Sequence, residues 1–317
     1  MHRKDKSMRG YEQGVTRREF MAAAAGTAAA PLLSPANTGA PLLDMHQHTK
    51  YSGRTDEQLV AHQMYHGVTT TVLLPGAGWM LAASGDNASC AKTQANYPNL
   101  FLRFACSDVA ESRTVDVLRG NIQRGALGFG ELKFRVAVDS PEMHRVYKLA
   151  EELGVPVLMH FEFEMYNTGI ERFVSVLKAY PKVIFFGHAQ TWWGNISADL
   201  NPQDMYPKGP IKPGGLIDRL LSDYPNIYGD LSAGSGLNAL TRDPEFAQGF
   251  LQRHSRKLFW GSDCPCRDGR GGGTSNGQCI SGECLAALKK LVPDPAAYGR
   301  ITYENGAELI KLKAFGN

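Results

Sequence analysis

Beyond its N-terminal region the sequence has no run of 18 or more apolar residues, which excludes a multi-span membrane protein. It also lacks an excess of charge of one sign. Six of the 34 basic residues and three of the 31 acidic ones fall within residues 1–36, which leaves 28 of each sign in the rest. A nucleic-acid partner would call for a basic stripe, and this balance provides none. Charged residues make up only 21% of the chain, too few for a self-repelling disordered polymer. What the 317 residues do contain is 43% apolar side chains, enough for one sizeable core, and a small molecule is the favoured partner.

The first 36 residues read as a signal segment. Thr16-Arg17-Arg18-Glu19-Phe20-Met21 resembles the twin-arginine export motif, with a basic stretch before it and an alanine-rich stretch, 22–33, after it. That stretch is too short and too mild for a stable membrane span. Ser34-Pro35-Ala36 offers small residues for cleavage. The expectation is that twin-arginine machinery exports the chain already folded, to the periplasm or cell surface, where disulfides survive.

From residue 42 onward, short apolar runs alternate with helix-length amphipathic stretches. Strands are expected at 42–47, 69–74, 100–105, 126–133, 155–160, 183–188, 227–230 and 258–261. Helices are expected at 56–66, 112–124, 141–153, 169–179, 215–222 and 243–254. Several strand candidates are near-continuous Val, Ile, Leu or Phe runs, the pattern of parallel strands buried on both faces. Eight strands separated by helices predict an α/β chain, a (β/α)8 TIM barrel over residues 37–317. An open doubly wound sheet would usually carry a glycine-rich phosphate turn after its first strand, and here that strand ends in histidines.

Barrel active sites form at the C-terminal strand ends. Strand one ends Asp44-Met45-His46-Gln47-His48, and strand four holds Gly130-Glu131-Leu132-Lys133. Strands five and six end at His160 and His188, and strand eight runs into Gly261-Ser262-Asp263. Side chains alternate along a strand, so His46 and His48 face the same way. Imidazole and carboxylate together suit zinc, manganese or iron.

These residues resemble the amidohydrolase superfamily, in its branch with a strand-one His-x-His and a strand-eight Asp. Leu258-Phe259-Trp260-Gly261-Ser262-Asp263-Cys264-Pro265 is similar to that family's strand-eight segment, and Tyr303-Glu304-Asn305-Gly306-Ala307-Glu308-Leu309 to its closing helix. The resemblance implies a site of one or two divalent ions, zinc first and manganese or iron as alternatives, held by His46, His48, Glu131, His160, His188 and Asp263. Some relatives use a strand-four lysine instead, so Lys133 stays open as a ligand or as a contact to an anionic substrate.

The expected chemistry is metal-assisted hydrolysis of an ester, lactone or amide bond. A bound ion brings water to near-neutral acidity. Asp263 would serve as general acid and base, and His188 would bind a second ion or orient the substrate carbonyl. A decarboxylase on the same barrel is the alternative, and a non-catalytic exported binding protein is the second. A homo-oligomer is compatible with either.

Other residues carry weaker expectations. Trp192 and Trp193, just beyond His188, are candidates for stacking on a flat substrate. Glu162 and Glu164 read first as a solvated loop face and second as contacts to a polar substrate; Asp230, at the end of strand seven, reads first as a turn former and second as a residue reaching the pocket. Of the six cysteines, Cys264, Cys266, Cys279 and Cys284 crowd the region after strand eight. Disulfides pinning that loop are the leading expectation there, with a structural zinc as the alternative.

Overall fold

The computed structural model describes residues 40–311, so the signal segment, its arginine pair and its cleavage site lie outside the described residues. Eight strands follow in order: β1 (Leu43–Gln47), β2 (Thr70–Leu73), β3 (Phe101–Arg103), β4 (Phe129–Leu132), β5 (Val157–His160), β6 (Phe185–His188), β7 (Ile227–Asp230) and β8 (Leu258–Phe259). All pair in parallel, as β1-β2-β3 and as β4-β5-β6-β7-β8. Hydrogen bonds outside the regular ladders join the two groups at both seams. At one seam the amide of Leu127 reaches the carbonyl of Arg103 and that of Gly130 reaches Ala105, both at 2.9 Å. At the other, Met45 N donates to Trp260 O at 3.3 Å. The fold is (β/α)8, as expected.

The longer helices are α1 (Asp56–Tyr65), α2 (Asn87–Asn96), α3 (Thr114–Gln123), α4 (Pro141–Leu153), α5 (Phe173–Ala179), α6 (Leu216–Asp223), α7 (Ala233–Thr241), α8 (Pro244–Arg253) and α9 (Ile280–Leu291). Their boundaries follow local chemistry. In α4, Ser140 caps the N-terminus by accepting from Met143 N, Pro141 opens the first turn, and Gly154 closes the helix at φ 63°. In α1, Thr55 and Gln58 form a reciprocal capping box. No described helix is long and apolar enough to cross a membrane.

Alternation along the strands sorts the core into two layers. Leu158 and Phe186 pack with Val72, Phe104 and Phe259. Their neighbours Val157, Met159 and Phe185 pack with the helix residues Val146, Leu149, Val176 and Leu177. His160 and His188 continue the faces of Leu158 and Phe186, and they sit directly opposite each other in the β5–β6 register. The apolar layer therefore forms the floor beneath the histidines.

Candidate metal centre

The six expected ligands come together at the C-terminal ends of the strands, all buried. His46, His48 and Glu131 offer ligand atoms within 4.8 Å of one another. So do His46, His188 and Asp263, and also Glu131, His160 and His188. Asp263 Oδ1 lies 3.5 Å from His48 Nε2 and 3.8 Å from His46 Nε2, and its Oδ2 lies 3.6 Å from His188 Nε2. Glu131 Oε2 lies 3.5 Å from His48 Nε2.

Neighbouring groups fix which ring nitrogen faces this centre. His48 Nδ1 is 2.7 Å from the carbonyl of Leu74, which can only accept, so Nδ1 carries the proton and Nε2 presents a lone pair. His46 Nδ1 is bonded at 2.7 Å to Asp230, and His188 Nδ1 at 3.0 Å to Ser232 Oγ. Such outer partners orient metal-binding imidazoles. His160 lies between two carboxylates, with Glu131 at 2.5 Å from Nδ1 and Glu162 at 3.1 Å from Nε2.

Two observations show that the centre suits a cation. His46 Nε2 and Asp263 Oδ1 are buried polar atoms with no hydrogen-bond partner, although both face the cluster. Burial alone would push the His46 imidazole down, yet Asp263, Asp230 and Glu131 hold it up at about 10. His188 goes the other way, well below its ordinary value, because burial acts with the neighbouring charge of His46. Burial raises the Asp263 carboxyl. A divalent ion held by these nitrogens and oxygens would meet both the orphaned atoms and the negative field.

The backbone serves the same convergence. A Cβ on Gly261 would lie 2.7 Å from His46 Cβ and 2.9 Å from Asp230 Oδ1, so only glycine allows β1, β7 and the end of β8 to come this close. Asp263 itself has φ 42°, a conformation held by its amide donating to His46 O at 2.8 Å.

A cavity of about 260 Å³ opens on the cluster, lined by Tyr51, Lys133, Gln190 and Tyr206 among others. Lys133 Nζ sits 3.8 Å from Glu162 and over the rings of Tyr166 and Trp79, at 5.0 and 5.4 Å. It faces the cavity from one wall, while Glu131 lies among the histidines. A larger cleft of about 420 Å³, lined by Gln248, Asp294 and Arg300, shares no residue with this site and has no histidine or cysteine in its wall.

Several expectations are corrected. Trp192 and Trp193 are buried and cannot stack on a substrate: Trp192 lies against Phe161, and Trp193 Nε1 donates to Asp230 O at 2.9 Å. Gly187 explains the first, since a Cβ there would meet the Trp192 indole at 2.3 Å. The aromatic side chains that line the cavity are Tyr51 and Tyr206 instead, while Trp79 and Tyr166 stack on each other beside Lys133. Asp230 is no turn former but the buried partner of His46, and Glu162 is buried against His160 rather than solvated. All six cysteines are buried free thiols, so the expected disulfides are absent. Cys284 belongs to the main core, and Cys266 accepts from the Gly271 amide.

Comparison with known proteins agrees with this geometry. The family profile described as Amidohydrolase matches residues 43–278. Among solved structures, one described as a probable 2-pyrone-4,6-dicarboxylic acid hydrolase from Acinetobacter baumannii, with citric acid bound, shares 16% identity. It aligns over 86% of this chain and 99% of its own, with a TM-score of 0.59. A 5-carboxyvanillate decarboxylase from Novosphingobium aromaticivorans, complexed with manganese and 4-hydroxy-3-methoxy-5-nitrobenzoic acid, shares 11% over 86% and 97%, with a TM-score of 0.56. A 2,6-dihydroxybenzoate decarboxylase complexed with 2,6-dihydroxybenzoate shares 12% over 86% and 100%, also at 0.56. At such identities these likenesses speak for the fold alone. No curated protein sequence matches the chain. The profile match covers most of the chain and all six clustered residues, and on that ground the protein belongs to the amidohydrolase family, as an enzyme of the amidohydrolase superfamily.

Proposed function

We propose that the protein is a metal-dependent hydrolase that opens an ester or lactone bond in a small carboxylate-bearing molecule. The observation that carries this reading is the pairing of His46 Nε2 and Asp263 Oδ1. Both are buried and unpartnered, 3.8 Å apart, in a cluster that opens on a cavity holding Lys133. His46, His48, Glu131, His188 and Asp263 would hold the ion, with His160 as a further donor; zinc suits these ligands, and manganese or iron would fit as well. When bound, the ion supplies Lewis acidity that polarises a carbonyl group and acidifies water.

The remaining work falls to the chain's own residues. Asp263 takes the proton of the attacking water at a carboxylate oxygen and returns it to the leaving oxygen, so that one water is consumed and one acid and one alcohol are formed. Its position fits the task, because Oδ1 is buried, faces the cluster and has no hydrogen-bond partner there. Ser232 occupies His188 Nδ1 and so keeps Nε2 facing the cluster. Lys133 supplies a positive charge on the cavity wall for a substrate carboxylate. Walls of Tyr51 and Tyr206 limit the volume to a small ligand.

Product analysis tests the reading. Carboxylate-bearing lactones and hydroxybenzoates are incubated with the metal-loaded protein. Acid release without carbon dioxide is expected, whereas carbon dioxide release without net water uptake would replace the hydrolase reading with the decarboxylase one. We propose further that the chain is exported folded. A fusion of the full chain should then lose its periplasmic fraction on Arg17→Lys/Arg18→Lys substitution, and an unchanged distribution would refute it.

A further inference from the structure

A second group of metal-binding side chains lies outside the cluster just described. His62 on α1 and His66, the residue at its C-cap, are four residues apart and project from one face, with ring centroids 5.0 Å apart. Facing them are two cysteines from the segment after β8, Cys264 and Cys279. The ligand atoms of His62, Cys264 and Cys279 all lie within 4.8 Å of one another, and all three residues are buried. His66 Nε2 lies 3.2 Å from Cys279 Sγ.

We infer that His62, Cys264 and Cys279 form a structural metal site suited to zinc, with His66, next to Cys279, placed to complete a Cys2His2 set. Two of its separations match tetrahedral zinc. Zinc–sulfur bonds of about 2.3 Å and zinc–nitrogen bonds of about 2.0–2.1 Å in a tetrahedron place two sulfurs about 3.8 Å apart, and sulfur and nitrogen about 3.5 Å apart. The observed Cys264–Cys279 separation is 3.7 Å, and His62 Nε2 lies 3.5 Å from Cys279 Sγ.

The surroundings of His62 aim it at the sulfurs. The Gln63 amide nitrogen donates to Asp44 Oδ2 at 2.8 Å and to Thr71 Oγ1 at 2.7 Å, which fixes the orientation of that amide. Its oxygen therefore faces His62 Nδ1, at 3.0 Å, and accepts that proton. The Nε2 lone pair is then directed to the thiols, as in metal sites where an outer partner sets the tautomer.

Such an ion would tie α1, which follows β1, to the segment that begins directly after Asp263. It would clamp the seam where the strand-one histidines meet the strand-eight aspartate, and this does the work that disulfides were expected to do. The site uses none of the residues assigned to the reaction, and the catalytic cluster contains no sulfur.

That difference makes the test selective. The full chain, stripped with chelator and reloaded with Co²⁺, should show a thiolate-to-cobalt charge-transfer band in the near ultraviolet. The band should survive His46→Ala/His48→Ala and vanish in Cys279→Ser. Zinc analysis should follow the same pattern, with about one equivalent retained in the double histidine variant and lost in the cysteine variant. Absence of the thiolate band from cobalt-loaded wild type would overturn the inference without touching the catalytic reading. So would a Cys264–Cys279 disulfide, found by mass spectrometry after alkylation under denaturing conditions.

Discussion

Asp230 Oδ2 accepts a hydrogen bond from His46 Nδ1 at 2.7 Å, and neither side chain is exposed to solvent. The carboxylate thereby sets the histidine's tautomer and leaves Nε2 for a metal. Asp230→Ala should lower metal affinity by roughly 10- to 100-fold. Competition with a chromophoric chelator measures this, and unchanged affinity would remove Asp230 from the design of the site.

The relation between His46 and Asp230 was only half legible in the sequence. The His-x-His spacing and the strand-end histidines stand out because strand periodicity alone puts them on one face, and all eight strands fall within a few residues of their expected places. Asp230 also ends its expected strand, but a single Asp at a strand end is indistinguishable from a turn residue until the closeness of β1 and β7 is known. Gly261, the residue that permits that closeness, marks it only in three dimensions.

Other misses have equally local causes. Helix α2 has only alanines and Cys90 among its apolar residues, and Cys90 and Thr93 are the buried ones, so it carries no large apolar stripe. The only sequence signal is the capping pair Asp86 and Ser89. Helix α7 contains Gly234 and Gly236, which weaken any helical reading, yet a Cβ on Gly236 would meet the Leu231 backbone at 2.6 Å. Helix α9 carries the helical spacing of Cys284, Leu288 and Leu291, but Cys279 and Cys284 at its start fit a disulfide-pinned loop equally well in sequence. For Trp192 and Trp193, a place near the strand end said nothing about direction, and both turn into the core.

Gly261→Ala tests how closely β1 and β8 must approach. With His46 Cβ at 2.7 Å from the added methyl, something on the strands must shift. A cost of about 1–3 kcal/mol is expected, as for overpacked cores. Thermal unfolding reads the cost, and metal content should fall along with it. An unchanged Tm and full metal loading would show that the seam has slack.

Lys133 stands on the cavity wall rather than among the ligands. Lys133→Met should raise KM for a carboxylate substrate by roughly 10-fold or more, in line with the loss of a charge-assisted hydrogen bond. Metal content should stay unchanged. Loss of metal in this variant would instead make Lys133 a ligand.

The loop after β8 should depend on pH through Asp268. Backbone amides of Arg270 and Gly272, together with the Cys266 thiol, hold its carboxyl at about 2, below its ordinary value. Its proton is therefore bound less tightly in the ordered loop than in a disordered one. The ionised carboxylate helps order the loop above about pH 4, and this help is lost as pH falls through about 2. Protection of the Arg270 and Gly272 amides, as exchange relative to the intrinsic rate at the same pH, should fall on acidification, and Asp268→Asn should show the lower protection already at neutral pH. Equal protection in both proteins at neutral pH would contradict this role. The group is exposed, so the effect is local to the loop.

The most direct test of the account is the metal content per chain of protein purified without added chelator, compared with His46→Ala/His48→Ala. The variant should lose at least one equivalent of divalent metal relative to wild type while keeping its fold by circular dichroism. Equal metal content in the two proteins would contradict a metal centre at the ends of these strands.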